Sequence, residues 1–464
     1  MALNALGRHL ALVGFMGAGK TTLVSAIGER LDRRAVDLDD GATARIDLLG
    51  MDAFRAAEEE DTVEALWSEG LFVYALGGGA VVSRKVRDAL GERALTVWLD
   101  VDARTAWERV AGSDRPLAQD EQEFMALWEL RQPYYRQVAD AIASDEDGVV
   151  LAAAGVHHEP GALDRLGELV PGDGPVALVG DENVLGLYGE RASAALGERL
   201  ASTHRLPPGE QAKQLAVVER LWHELSLDRD GTIVALGGGT TTDTAGFAAA
   251  TYLRGVPWVA VPTTLVGQVD AALGGKTGVD TADGKNLAGA FHWPVRVVID
   301  DTLLATLPER ERRNGETELL KTELLAGHPL DARGAAAYKA ALCLRDPHDR
   351  GPRRWLNLGH TFGHALEAAA GFELSHGEAV ALGLVAALRL SGRDPAPVVE
   401  ALDPQPVEVD PDRAWQALLR DKKRTGGEIN LVLLGEHGPT VEARGADEVR
   451  AALDTLIASC RSSS

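Results

Sequence analysis

Cysteine is nearly absent from this chain, positive charge is scarce, and no long apolar run occurs. Only Cys343 and Cys460 stand among its 464 residues, with no CxxC spacing. A disulfide framework and a thiolate zinc site are therefore not expected, and the usage fits a reducing cytoplasm. No segment reaches the roughly 18 consecutive apolar residues of a membrane helix, and no basic stretch leads into an apolar run near residue 1, so neither a membrane span nor a secretory leader is expected. Lys and Arg number 47 against 70 Asp and Glu, a net charge of −23. Such a surface repels nucleic acid and anionic membranes, so any anionic small-molecule substrate must be met by local Lys/Arg clusters. No internal repeat of fixed period is present.

The length suits two or three domains, and 45% hydrophobic with 25% charged residues is ordinary for a globular protein. Apolar runs at residues 9–14, 35–38, 72–76 and 96–99 alternate with helical patterns, as in a parallel sheet covered on both faces. The pattern weakens at 143–148. A second α/β series then begins, with strands expected at 176–180, 231–236 and 258–261. Helical periodicity dominates over 309–392, with a late strand at 429–434, and the proline-rich stretch 395–411 is expected to be a surface connection. These divisions give an α/β chain of three parts, 1–146, 147–308 and 309–464.

Two phosphate- and cofactor-handling signatures lie far apart. Gly14-Phe15-Met16-Gly17-Ala18-Gly19-Lys20-Thr21 is G-x-x-x-x-G-K-[ST] between an expected strand and helix. In that context loop N–H groups and the helix N-terminus surround phosphates, Lys20 reaches the β/γ-phosphates and Thr21 helps hold Mg²⁺. Gly17, Gly19, Lys20, Thr21 and Thr22 are the ATP-binding candidates. Much later stand His360-Thr361-Phe362-Gly363-His364 and His376-Gly377-Glu378. His360 and His364 lie four apart on one helix face, where both are able to ligate. The absence of a Glu directly after His360 argues against a metalloprotease helix.

Residues 9–140 resemble shikimate kinase. Asp37-Leu38-Asp39, Gly50-Met51-Asp52-Ala53-Phe54-Arg55, Gly77-Gly78-Gly79, Arg115-Pro116-Leu117 and Arg131-Gln132-Pro133-Tyr134-Tyr135 carry the likeness. It implies a P-loop kinase in which Arg55 and Arg131 clamp the shikimate carboxylate, Gly78 lets backbone approach the substrate, and Asp39 orients the reacting hydroxyl. Asp37 acts with Thr21 through Mg²⁺, and Arg115 on a lid neutralises the transferring phosphoryl group. The stretch between Asp39 and Gly50 is about two residues shorter than the family's usual length.

Residues from about 150 onward resemble 3-dehydroquinate synthase, a sugar-phosphate cyclase. The motifs are Asp181-Glu182-Asn183, Pro208-Gly209-Glu210-Gln211-Ala212-Lys213, Gly237-Gly238-Gly239 with Asp243, Arg254-Gly255, Pro262-Thr263-Thr264, Gln268-Val269-Asp270, Gly274-Gly275-Lys276, Gly284-Lys285-Asn286, Glu318-Leu319-Leu320-Lys321, Asn357-Leu358-Gly359-His360 through His364, His376-Gly377-Glu378 and Asp421-Lys422-Lys423. The resemblance implies a Rossmann-like NAD-binding domain followed by a mostly helical metal- and substrate-binding domain. NAD contacts fall on Asp181, Asn183, Glu210, Lys213, Gly238, Gly239, Asp243, Thr263 and Thr264. Glu318, His360 and His376 form a Zn²⁺ (or Co²⁺) site, and His364 serves as a substrate-side acid/base. Arg254, Asp270, Lys276, Lys285, Asn286, Lys321, Lys339, Arg353, Asn357 and Lys422 or Lys423 meet the substrate, with Asp270, Lys276, Lys321 and Asn286 also in the chemistry. The implied reaction oxidises C5 of a heptulosonate phosphate, eliminates phosphate, returns the hydride and closes the carbocycle, with no net redox change. About 25 residues usual in the family are lacking between Leu330 and Lys339, and 393–415 is short.

The chain thus reads as a cytoplasmic bifunctional enzyme, expected to form a homodimer through its synthase half, with no nucleic-acid or membrane partner. The alternative is a cyclase of secondary metabolism whose N-terminal half is a nucleotide-binding regulatory module.

Overall fold

The computed structural model describes residues 3–281, 284–371, 373–421 and 428–459. Contacts divide them into two compact units, Met1–His158 with Pro294–Val297, and Glu159–Trp293 with Val298–Ser464. Cys460, Lys422 and Lys423 lie outside the described residues.

The first unit is built on five parallel strands, β1 (His9–Val13), β2 (Arg34–Asp37), β3 (Phe72–Ala75), β4 (Ala94–Leu99) and β5 (Ala141–Ala143), in the spatial order β2-β3-β1-β4-β5. Every residue of β1 and β4 is buried. Apolar residues in an unbroken run, rather than alternating, mark strands covered on both faces. The helix Lys20–Leu31 buries Lys20, Val24, Ile27, Gly28 and Leu31, the stripe of one helical face. Asp32, left-handed at φ 51°, ends it. Between β1 and this helix the loop turns through Gly17 (φ 83°) and Gly19 (φ 92°), a backbone region that side chains disfavour.

In the second unit β6 (Val176–Asp181), β7 (Leu200–Leu206), β8 (Thr232–Gly237) and β9 (Trp258–Pro262) pair in parallel in the order β9-β8-β6-β7. The chain leaves β6 toward β7 on one side and returns to β8 on the other. Ligands of open α/β sheets bind at such a switch point, outside the carboxyl ends of the strands. Asp181 ends β6 there and caps the next helix, its Oδ1 accepting from Asn183 N (3.0 Å) and Val184 N (3.1 Å). An antiparallel hairpin follows, Lys276–Thr281 against Gly284–Phe291.

From Glu309 onward helices dominate, chiefly Glu309–Ala326, Ala332–Arg345, His360–Ala369, His376–Leu390, Pro411–Asp421 and Ala446–Ser459. Leu358, Phe362, Leu366, Val380, Leu384, Leu418 and Leu453 belong to one core there. The late strand is Glu428–Gly435, and it pairs with Gly438–Gly445 to make a hairpin that the apolar pattern of 429–434 did not disclose. The stretch 395–411 is more than a connection: Ala396–Leu402 is helical and buries Val398. Pro395 and Pro397 fall before and within the first turn of this helix, where no N–H is needed. The shortened region before Lys339 is closed by a brief link, 327–331, between two helices. No helix among the described residues is long and apolar enough to cross a membrane.

Candidate functional site

Each unit carries one constellation. In the first, Lys20 is buried, its Nζ donating to Gly14 O (2.8 Å) and Phe15 O (3.1 Å). Burial brings its pKa down to about 8, Arg115 and Arg131 act in the same direction, and Asp39 and Asp37 oppose them. The structure therefore gathers Lys20, Asp37, Asp39, Arg115 and Arg131 into one electrostatic neighbourhood. Burial raises the Asp39 carboxyl, with Lys20, Arg115 and Arg55 working against it. The Gly77–Gly79 turn is wedged among these groups. A Cβ at Gly77 would fall on Glu58 Oε1 and 3.0 Å from Asp39 Oδ1. A Cβ at Gly79 would overlap the Arg55 guanidinium, and one at Gly78 would stand 3.6 Å from Arg131 Nη1. Arg131, 6% exposed, lies over the Phe15 ring (5.5 Å), and Tyr135 donates its hydroxyl to Gly78 O at 2.6 Å. Arg55 pairs with Glu58 at 2.5 Å. Thr21 and Thr22 open the helix that follows the loop.

The second constellation surrounds a cavity of about 1180 Å³. That exceeds the roughly 300–1,000 Å³ of ordinary ligand pockets and leaves room for a dinucleotide beside a substrate. One part of its wall is Asp181, Asn183, Glu210, Lys213, Gly238, Gly239, Asp243, Thr263 and Thr264. Another is Asp270, Lys276, Lys285, Asn286, Lys339, Arg353, His360, His364 and His376. Lys213, one of the NAD contacts that the resemblance implies, is buried and ion-paired to Asp243 at 2.7 Å. It also donates to Asn286 Oδ1, which joins the two parts of the wall.

Ligand atoms of Glu318, His360 and His376 all lie within 4.8 Å of one another, a spacing that fits one divalent ion. Glu318 Oε1 stands 3.2 Å from His376 Nε2 and 3.6 Å from His360 Nε2, and Lys321 forms an ion pair with the same carboxylate. Burial penalises the Glu318 charge, but Lys321 and the two histidines hold its pKa well below the carboxylate range. Behind the metal set, Lys321 lies 3.9 Å from Asp270 Oδ1, which also accepts from Lys339 Nζ at 2.7 Å. Asp270 sits in a π-turn, Gly267–Ala271, a local irregularity common at functional positions. Lys276 is paired with Asp349 at 2.5 Å.

Tertiary packing sets this geometry. Ser375 and Glu378 form a capping box at the start of His376–Leu390, so Glu378 secures the helix that begins with His376. Asn314 Oδ1 accepts from Gly377 N at 3.0 Å and ties that start to the helix bearing Glu318. Asn357 ends the short helix Pro352–Asn357. Arg254 lies outside the cavity wall, in an exposed turn at φ 68°. Asn314, Asp349 and Glu367 were not singled out from sequence. Asn314 stands four before Glu318, and Glu367 three after His364, so helical spacing held a signal for both.

Family comparison agrees with this division. Residues 16–154 match the shikimate kinase family, 203–314 the N-terminal part of 3-dehydroquinate synthase and 332–424 its C-terminal part. The chain is 40% identical over 349 residues to the 3-dehydroquinate synthase of Symbiobacterium thermophilum, covering 66% of this chain and 97% of that protein. Among solved structures it is similar to a 2-deoxy-scyllo-inosose synthase complexed with carbaglucose-6-phosphate, NAD⁺ and Co²⁺ (26% identical, 64% of this chain and 95% of that one, TM-score 0.58). It is also similar to the 2-epi-5-epi-valiolone synthase ValA of Streptomyces hygroscopicus with NAD⁺ and Zn²⁺ (28% identical, 66% and 96%, TM-score 0.56).

Proposed function

Because this chain belongs to the shikimate kinase family over residues 16–154 and to the 3-dehydroquinate synthase family over residues 203–314 and 332–424, we propose that it is a bifunctional enzyme of aromatic biosynthesis. One unit phosphorylates shikimate to shikimate 3-phosphate with ATP and Mg²⁺. The other converts 3-deoxy-D-arabino-heptulosonate 7-phosphate to 3-dehydroquinate and phosphate, using NAD and Zn²⁺ or Co²⁺. The observation that carries the synthase assignment is a metal-compatible Glu/His/His set, two of whose members, His360 and His376, line the same cavity as the dinucleotide wall and a cluster of lysines.

In the kinase unit, Lys20 and Arg115 offset charge on the transferring phosphoryl group. Arg55 and Arg131 hold the substrate carboxylate, and Asp39 orients the attacking hydroxyl. Catalysis of this kind is mainly positioning and electrostatics. In the synthase unit, a nicotinamide, when bound, would supply reversible oxidation of a substrate carbon, and a divalent ion would supply Lewis-acid polarisation of a substrate hydroxyl. Glu318, His360 and His376 hold that ion. Lys276, Lys321, Lys339 and Arg353 draw the sugar acid into an otherwise acidic protein, and Asp270 holds a ring hydroxyl. Lys285, Asn286 and His364 gather the phosphate, where His364 is placed to exchange a proton. Lys213, through Asp243 and Asn286, keeps the cofactor and substrate walls in register. The reading extends to a cytoplasmic homodimer joined through synthase units that acts on small molecules alone; the acidic surface and sparse cysteine support it.

The test is phosphate release from 3-deoxy-D-arabino-heptulosonate 7-phosphate with NAD⁺ and Zn²⁺, the product identified by mass and NMR, alongside ATP-dependent phosphorylation of shikimate. Turnover of sedoheptulose 7-phosphate or glucose 6-phosphate in place of the heptulosonate would replace this assignment with a secondary-metabolite cyclase.

A further inference from the structure

A histidine that binds a metal through one ring nitrogen keeps its proton on the other, and that N–H needs an acceptor to fix the ring. His360 has one: its Nδ1 lies 3.2 Å from Leu358 O, a group that only accepts, so its Nε2 faces Glu318 with a free lone pair. His376 also turns Nε2 toward Glu318. Its Nδ1 points the other way, to Glu367 Oε1 at 3.6 Å. Glu367 is 6% exposed, a buried carboxylate to which the chemistry above gives no task. It lies on the helix His360–Ala369, seven residues after His360 and so on the same face. That helix therefore presents one ligand and, two turns later, the acceptor behind another.

We propose that Glu367 is a positioning residue of the synthase metal centre, accepting the Nδ1–H of His376 and so holding its Nε2 lone pair on the ion. The inference rests on the reading of Glu318, His360 and His376 as the metal ligands.

A competing use of the same atoms exists. His364, Glu367 and His376 also present ligand atoms within 4.8 Å of one another, a spacing compatible with a second cation. Both nitrogens of one neutral imidazole cannot serve as ligands, because one of them carries hydrogen. With Nε2 committed to the Glu318 side, Nδ1 is a donor, and the buried carboxylate beside it is its acceptor.

The experiment uses the full chain stripped of metal and reloaded, wild type against Glu367→Gln and Glu367→Ala. Zn²⁺ affinity is measured by competition with a chelating indicator, the Co²⁺-loaded chain is examined by visible absorption, and bound metal is counted per chain. Shikimate phosphorylation reports that each variant is folded. Wild type should bind one ion at the synthase site. Glu367→Ala should weaken Zn²⁺ by about 10–100-fold, the usual effect of removing such a partner, and alter the Co²⁺ spectrum. Glu367→Gln, nearly isosteric and still able to accept, should recover part of the loss, and it keeps the test open if the alanine variant does not fold. Affinities within twofold of wild type in both variants, with an unchanged Co²⁺ spectrum, would overturn the proposal. So would a wild-type chain that takes up two ions at this site and loses one in Glu367→Gln, since the carboxylate would then be a ligand. A wild-type chain that binds no Zn²⁺ would instead remove the underlying metal-site reading.

Discussion

Gly377→Ala tests whether helix packing, as distinct from ligand identity, makes the metal centre. Gly377 follows His376 and supplies no metal ligand itself. A Cβ added there would lie 2.5 Å from Asn314 Cα, 2.7 Å from Asn314 Oδ1 and 3.2 Å from Asn314 N. Carbon atoms in contact prefer about 3.5–4.0 Å, so the two helices must separate by about 1 Å at this point. Two of these three atoms are backbone, so moving the Asn314 side chain alone does not relieve the clash. Overpacking of this kind costs about 1–3 kcal/mol. The movement also breaks the Gly377 N–Asn314 Oδ1 hydrogen bond, a further contribution of about 1 kcal/mol. Metal bonds tolerate errors of only about 0.2 Å, so the ion-free chain can relax while the loaded one must restore the strained spacing. If the strain falls mainly on the loaded state, Zn²⁺ affinity should drop about 10–100-fold, since about 1.4 kcal/mol corresponds to tenfold. Chelator competition reads that drop directly. The kinase unit of the same molecule is an internal control, and its rate should not change. Wild-type Zn²⁺ affinity in a variant with intact kinase activity would refute the claim that this close approach sets the distance between His376 and Glu318.

Three further outcomes follow from the same structure. Lys20→Met should lower shikimate phosphorylation about 10²–10³-fold, as loss of one transition-state donor does, while 3-dehydroquinate formation stays within twofold; loss of both activities would favour a regulatory role for the N-terminal unit. Gly79→Ala should displace Arg55 and raise the KM for shikimate at least about tenfold with little change in the KM for ATP, measured by steady-state kinetics; an unchanged shikimate KM would remove Arg55 from the carboxylate site. Asp300 is fully buried and accepts from Gly161 N (2.9 Å), Leu163 N (3.1 Å) and Thr302; burial opposes its charge, but these hydrogen bonds pull its pKa below the ordinary value. A depressed folded-state pKa means that its stabilisation is present above about pH 4 and is lost as pH falls through the folded value. Asp300→Asn should therefore cost about 1–3 kcal/mol at pH 7, and the gap in denaturant midpoint from wild type should narrow below about pH 4; a gap independent of pH would show that the charge is not involved.

Local rules sufficed where one element carries the whole signal. The run at 9–13, the loop through Lys20 and the helical stripe to Leu31 are short-range patterns, and the structure follows them closely. The sparse cysteine and acidic surplus likewise needed no coordinates, because composition does not depend on fold. Pairing and burial are different. That Glu428–Gly435 has a partner strand depends on residues that form no apolar run and of which none is fully buried, which a single-strand signal cannot disclose. Lys213 looks like a surface lysine in one dimension, yet it is buried because Asp243 and Asn286 arrive from 30 and 73 positions away. Glu318, His360 and His376 were named by family likeness, but their approach within one ion's reach is the work of Asn314, Gly377 and a capping box. Residue types and spacings thus determined which chemistries the chain carries. Tertiary packing decided the distances, the burial and the second partner of each ring, because those depend on groups that meet only after distant segments have folded together.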